Sequence, residues 1–288
     1  MHGVRDAVTT VTDLKQQQKS LWGGSATDWE TWDDWFEDQS KNLTEWICAK
    51  SGISAGMHVL DLACGAGQPG FTAAKLVGPG GRIVSSDLAP EMVAVAQRLG
   101  AARGLTNLEH REVDIEDIPF ADQTFDAVTC RLGLMFCPEP ARGAAEIRRV
   151  LKPGGRFALT VWDIPARNEQ FTSFLGPLGE VVTPAAPNPK APGLFRLAAP
   201  GELEAVLHEG GFEDIEIEPV VAQWEFSSAE NYWDVMTVLA APLKAAVATF
   251  PADNLQRLKG LVIDGLRASH GEGPVKLTAT ALGATGRK

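Results

Sequence analysis

The sequence predicts an α/β protein: a mostly parallel sheet with helices on both faces and added helical cover. Three observations carry that expectation. From residue 57 onward, short apolar runs alternate with helical patterns. Strands separated by helices pair in parallel through right-handed crossovers. A glycine-rich turn containing Gly65, Gly67 and Gly70 directly follows the first of those runs. Near the end, Val275, Leu277, Ala279 and Ala281 alternate with Lys276, Thr278 and Thr280, as in a half-exposed antiparallel strand.

Composition bounds the rest. The 288 residues carry a formal net charge of −11, with 44% hydrophobic and 22% charged residues. That is enough for an ordinary core, and the length suggests roughly one to two domains. The acidic balance argues against a nucleic-acid partner, which needs clustered Lys and Arg. Met1 to Thr10 lacks the basic start and apolar run of a secretory signal. Val235 to Phe250, the most apolar stretch, contains Pro242 and Lys244 and is too short to span a bilayer. Cys48, Cys64, Cys130 and Cys137 fit neither a disulfide framework nor a zinc spacing. A cytoplasmic protein is expected. Its oligomeric state stays open, a homodimer included.

In chain order, Thr27 with Glu30 reads as a capping box. Trp29, Trp32, Phe36, Leu43, Trp46 and Ile47 then recur near helical spacing. Five of the eight tryptophans fall in the first fifty residues, suiting a helix that packs on a core or covers a ligand. The acidic face of Asp28, Asp33, Asp34 and Asp38 is expected to point to solvent. Strands are expected at His58–Asp61, Arg82–Asp87, Leu108–Asp114, Phe125–Cys130 and Arg156–Trp162. Pro90 suits the first position of a helix, and Pro140 to Leu151 forms another, stopped by Lys152-Pro153-Gly154-Gly155. Residues 163–200 carry seven prolines and read as an insertion without a core element. A helix over Glu202–Glu209, a strand from Ile215 and helices through 228–270 complete the chain.

Gly65, Gly67 and Gly70 satisfy G-x-G-x-x-G between a strand and a helix, which admits a ligand close to the backbone. Asp87 ends the next strand, where a carboxylate can accept from ribose hydroxyls. These features alone allow a nicotinamide-dinucleotide dehydrogenase or a nucleoside-binding transferase. Three others separate them. Asp61 stands at the strand end, where a pyrophosphate would meet a negative charge. Asp114 follows the third strand, placed to accept from an adenine amino group. The single tyrosine, Tyr232, has Met236 four residues on, so no Tyr-x-x-x-Lys reductase pair exists.

Asp61-x-x-x-Gly65-x-Gly67, Asp87, Asp114-Ile115, Phe125-Asp126-Ala127-Val128 and Leu151-Lys152-Pro153-Gly154-Gly155 share the order and spacing of class I S-adenosylmethionine methyltransferases. With Leu134-Met135-Phe136, the chain resembles the ubiquinone/menaquinone-biosynthesis type of small-molecule methyltransferase. The resemblance is strong over residues 57–162. It implies a Rossmann-like, seven-stranded sheet whose last, antiparallel strand inserts beside the fifth. Residues 1–56 would then form a helical cap on a domain spanning 57–288, with insertions at 163–200 and 228–270.

Position by position, the resemblance implies that Ala63, Gly65 and Gly67 admit the methionine part of S-adenosylmethionine. Asp61 would hold its amino end and Arg131 its carboxylate. Asp87 would take the ribose hydroxyls, with Leu88 and Met92 against the adenine. Asp114 would accept from the adenine amino group and the Ile115 amide donate to the ring. S-adenosylhomocysteine would be the product. In-line methyl transfer chiefly needs alignment and exclusion of water, so no metal is expected. Asp163 is the best-placed carboxylate should a base be needed. Met135, Phe136, Trp162 and Asn168 are the expected acceptor pocket, suited to an apolar or aromatic small molecule. Three alternatives remain: a non-catalytic S-adenosylmethionine-binding module, an NAD-dependent dehydrogenase using the same glycine turn and, on Cys130 and Cys137, a thiol-dependent arsenic methyltransferase.

Overall fold

The computed structural model describes residues 10–183, 188 and 191–288. Most of the segment read for a signal, and Pro184, Pro187 and Pro189 of the Pro-rich stretch, lie outside the described residues. Two helices come first, α1 (Val11–Gly23) and α2 (Ala26–Lys50). There follow β1 (His58–Leu62), α3 (Gly70–Val77), β2 (Arg82–Asp87), α4 (Pro90–Ala102), β3 (Leu108–Glu112) and β4 (Phe125–Arg131). Next are α5 (Pro140–Val150), β5 (Leu151–Trp162), α6 (Glu169–Val181), α7 (Glu202–Glu209) and β6 (Ile215–Phe226). The chain closes with α8 (Ala229–Leu239), α9 (Ala241–Val247), α10 (Ala252–His270) and β7 (Val275–Arg287).

The seven strands form one sheet in the order β3-β2-β1-β4-β5-β7-β6. β1 to β5 are parallel, and β7 runs antiparallel between β5 and β6. This is the Rossmann-like, mostly parallel sheet with an inserted antiparallel strand that the sequence led us to expect. Both faces are buried: Leu60, Leu62, Val84 and Val128 join one apolar cluster, while Val59, Ile83 and Ala127 join another with α3. A one-residue slip would exchange those faces, so the double burial fixes the register. Among the described residues, no helix is long and apolar enough to cross a membrane.

Several local expectations need correction. The N-terminal capping box is Thr10 with Asp13, at the start of α1. Thr27 caps nothing, because α2 begins at Ala26 directly after a glycine turn, and Glu30 is engaged by Arg98 at 2.6 and 3.0 Å. Asp33 does not face solvent: it is buried, and Arg103 meets it at 2.5 Å. Asp28 is half-buried against Lys244. The Pro-rich stretch contains a core helix after all. In α6, Phe171 and Phe174 are buried and Leu175 and Leu178 pack on the core, an i, i+3, i+4, i+7 face that overrides the internal Pro177.

Candidate functional site

The strand order reverses direction between β1 and β4, leaving a crevice past their C-terminal ends, where open α/β sheets place their ligands. Two non-glycine residues there have left-handed backbones, Ala63 (φ 53°) after β1 and Leu132 (φ 60°) after β4. Both line a cavity with ≈ 1250 Å³ of empty space, open solvent at its mouth included. Such conformations cost about 1–2 kcal/mol each and persist where the surroundings impose them.

One end of the cavity is polar. Asp87, at the tip of β2, is buried and accepts from the Gly65 amide and the Ala89 amide, each at 3.0 Å. Burial pushes its carboxyl above the ordinary value, against the pull of those two amides. Gly65 (φ 53°) also lines the space, and a Cβ there would find only Trp29, at 4.0 Å. Leu88, Met92, Asp114 and Ile115 complete this end. Asp114 accepts from the Glu116 amide at 2.9 Å and from Lys15 of α1 at 2.7 Å. Lys15 also reaches Glu116, whose side chain is fully buried, at 2.5 Å. Burial depresses the Lys15 ammonium, but the two carboxylates outweigh it and hold its pKa raised.

Asp61 and Gly67 lie outside the cavity wall. Asp61 is 0% exposed, and its two oxygens accept from the Gly70 amide at 2.9 Å and the Thr129 hydroxyl at 2.7 Å. Burial pushes its carboxyl up to about 7. Asp61 therefore fastens the glycine turn and β4 from beneath. Gly67 (φ 129°) faces the Phe71 ring, where a Cβ would sit 1.9 Å from a ring carbon. It is glycine for packing.

Aromatic rings line the wall from beside Gly65 onward. Phe171, Trp162, Trp224, Phe36, Trp29, Trp22 and Phe136 all line it, each meeting the next edge-on with ring centroids 4.6–6.2 Å apart. Met135 lies buried in the same wall. Arg131, the last residue of β4, also lines the cavity. Its Nη1 donates to Glu37 Oε2 at 2.7 Å and Thr44 Oγ1 at 2.8 Å, and its guanidinium lies over Phe36.

Two expected site residues are placed elsewhere. Asp163 is 4% exposed and away from the cavity wall, with its oxygens given to the Ile164 amide at 2.7 Å and Arg167 at 3.0 Å. Asn168 is buried and spent on structure: it donates to the Asp163 and Ile164 carbonyls and accepts from the Thr280 amide, tying the loop after β5 to β7. Cys130 is buried beneath the wall and its thiol is pushed up to about 12, chiefly by burial and then by Asp61. Cys137 lines the cavity, and burial raises its thiol well above the ordinary value. Burial favours the thiol form of both, the setting of structural rather than activated cysteines. The sequence reading missed Phe36, Trp224, Met236 and Leu239 as wall residues.

Comparison with known proteins identifies the architecture. The sequence profile of a methyltransferase-domain family matches residues 53–178. Nocamycin O-methyltransferase of Saccharothrix syringae is 31% identical over 277 residues, covering 88% of this chain and 92% of that one. The ubiquinone/menaquinone biosynthesis C-methyltransferase UbiE of Francisella tularensis subsp. novicida is 30% identical over 178 residues, covering 58% and 71%. An uncharacterized protein of Mycobacterium tuberculosis is 39% identical, but over 40% of this chain and 41% of its own length. A Bacillus halodurans C-125 structure described as a methyltransferase has a TM-score of 0.56 at 24% identity, over 85% of this chain and 98% of that one. The chain belongs to the class I S-adenosylmethionine-dependent methyltransferases.

Proposed function

We propose that the protein transfers a methyl group from S-adenosylmethionine to a small, apolar or aromatic acceptor. One observation carries this reading. The cavity joins a carboxylate-bearing, glycine-edged end to an aromatic chamber in a single space, so cofactor and acceptor can meet without water between them. The polar end fits the cofactor's chemistry. Gly65 leaves room at its α-carbon, and Asp87 keeps lone pairs free beyond its two amide bonds.

On this reading, Asp87 accepts from the ribose hydroxyls, while Leu88, Met92 and Ile115 enclose the adenine. Asp114 accepts from the adenine amino group, and Ala63 and Gly65 border the methionine part, with Arg131 holding its carboxylate. Asp61 acts from below, by fixing the turn on which Gly65 sits. Bound S-adenosylmethionine supplies an electrophilic methyl group on a sulfonium. The chain's own task is then alignment and desolvation, which can provide most of the acceleration of such a displacement. Met135, Phe136 and Trp162, with the rings of α1 and α2, shape the acceptor chamber and exclude water. Residues 20–47 and the segment after β5 serve as its cover, joined by Met236 and Leu239 of α8.

The test is transfer of labelled methyl from S-adenosylmethionine to a panel of phenols, quinols, amines and carboxylates, run on the wild type and on Trp162→Ala. Transfer to an aromatic or apolar member, reduced in the variant, supports the reading. Cofactor binding with no transfer to any member would instead favour a binding module.

A further inference from the structure

Helix α1 is held to the molecule in an unusual way. None of its 13 residues is buried. Its inward face is Lys15, Gln18 and Trp22, an i, i+3, i+7 stripe that lines the cavity, with Lys15 at Asp114 and Trp22 among the rings. Trp22 touches Phe136 edge-on with centroids 4.9 Å apart. Trp22 also meets Trp29 at 6.2 Å and packs against the cluster of Ala66, Ala89 and Met92, so the end of α1 is anchored by this ring. Toward its start the hold is ionic. Lys15 meets Asp114 at 2.7 Å and Glu116 at 2.5 Å, and Lys19, one turn on, pairs with Glu112. Glu112, Asp114 and Glu116 are spaced i, i+2, i+4 along and just beyond β3, so two lysines one helical turn apart meet a row of three carboxylates. Gly23 ends α1, and Gly24 and Ser25 separate it from α2.

The strength of this attachment is uneven. Lys19 and Glu112 are both partly exposed, with side-chain exposures of 32% and 49%, and such pairs contribute little. The Lys15 contact is different, because the Glu116 side chain has no solvent exposure. Its other oxygen accepts from the Glu139 amide at 2.6 Å. A buried carboxylate that loses its cation is strongly destabilised, so Lys15 is where α1 is fastened. Apolar adhesion comes chiefly from Trp22, at the far end of α1 beside Gly23 and Gly24. A helix attached in this manner can leave and return as a unit while the sheet beneath keeps its own core.

We infer that α1 is a gate over the adenine end of the cavity, latched by Lys15 on Asp114 and Glu116. This rests on the proposed placing of the adenine against Asp114. The cofactor enters, and the spent product leaves, when the latch opens. Asp114 then serves two partners: the Lys15 ammonium in the closed, empty site and the adenine amino group in the loaded one. Glu116, reached by no other described cation, keeps the ammonium in place over the bound nucleoside.

The experiment is stopped-flow binding of S-adenosylhomocysteine, followed by the fluorescence of the pocket tryptophans, with the wild type, Lys15→Met, Lys15→Arg and Lys19→Met. Gating predicts that Lys15→Met raises the association and dissociation rates together, each by roughly tenfold, and so changes the equilibrium affinity much less. Lys15→Arg restores slow exchange, and Lys19→Met has a smaller effect in the same direction. Raising sodium chloride from ~0.1 M to ~1 M shortens the screening length from about 10 to about 3 Å. Wild-type exchange should therefore accelerate, and Lys15→Met should respond less. Unchanged rates in both Met variants would make α1 a fixed brace and overturn the gate. Faster dissociation with an unchanged association rate would also overturn it, marking Lys15 as a ligand contact instead. Should the wild type bind no S-adenosylhomocysteine by calorimetry, the proposed function itself fails. Binding with unaltered kinetics removes the gate alone.

Discussion

Replacing Asp61 with Asn should leave the protein folded and remove a pH dependence from its stability. Asp61 is 0% exposed and accepts from Thr129 Oγ1 at 2.7 Å and the Gly70 amide at 2.9 Å. Burial raises its carboxyl from 3.8 to about 7, although both hydrogen bonds pull the other way. A raised value means that the folded state holds the proton more tightly than the unfolded chain does. The associated stability is fully present below about 4 and is lost as pH climbs through about 7. Each unit of difference is worth about 1.4 kcal/mol, so the wild type should lose on the order of 4 kcal/mol across that window relative to a neutral residue. Asn is neutral throughout. Its amide oxygen can accept from Gly70, and its nitrogen can donate to the Thr129 hydroxyl once that group turns. Urea unfolding of both proteins at about pH 4.5, 6 and 7.5 measures the effect, because the difference between them cancels the other titrating groups. The variant should gain on the wild type as pH rises. A difference that stays constant with pH would show that burial does not control Asp61.

Asp87→Ala should weaken S-adenosylhomocysteine binding by about ten- to a hundredfold and also lower stability by about 1–3 kcal/mol, because the Gly65 and Ala89 amides lose their acceptor. Calorimetric binding and urea unfolding check the two parts, and full affinity in the variant would place the ribose elsewhere. Gly67→Ala should destabilise by about 1–3 kcal/mol or more, since its Cβ would meet the Phe71 ring at 1.9 Å in a left-handed backbone. An unchanged melting temperature would refute that packing. A chain starting at Gly24 should fold, since nothing in α1 is buried, but less stably because Glu116 loses Lys15, and it should lose most methyl transfer as the cavity opens to water. Wild-type turnover by the folded truncated chain would remove α1 from the mechanism.

Much of the fold could be read from local chemistry. β2 (Arg82–Asp87) and α7 (Glu202–Glu209) match expectation to the residue, because a proline helix start after Asp87 and a glycine pair after Glu209 mark their ends. Helix α1 escaped notice because its face is polar, and the Thr10–Asp13 box was its main signal. The prolines around helix α6 mask the helical spacing of Phe171 and Phe174, whose burial reveals its core face.

The site divides in the same way. Gly65, Asp87, Asp114 and Ile115 belong to turns whose position at a strand end determines where they point, and all four line the cavity. Asp163 and Asn168 follow β5 just as closely. Their direction is set by pairing with Arg167 and with β7, which the sequence does not encode locally. Trp224 lies on a visible alternation with Val220, Ala222 and Phe226. That pattern marks it as buried. Only the tertiary fold brings it beside Phe36 and Trp162.

The central claim is that this cavity is built for a nucleoside bearing a sulfonium amino acid. Isothermal titration of the full chain with S-adenosylmethionine, S-adenosylhomocysteine and NAD tests it most directly. One site per chain is expected for the first two ligands, weakened by Asp87→Ala, with no measurable NAD binding. Tight NAD binding without S-adenosylmethionine binding would contradict it.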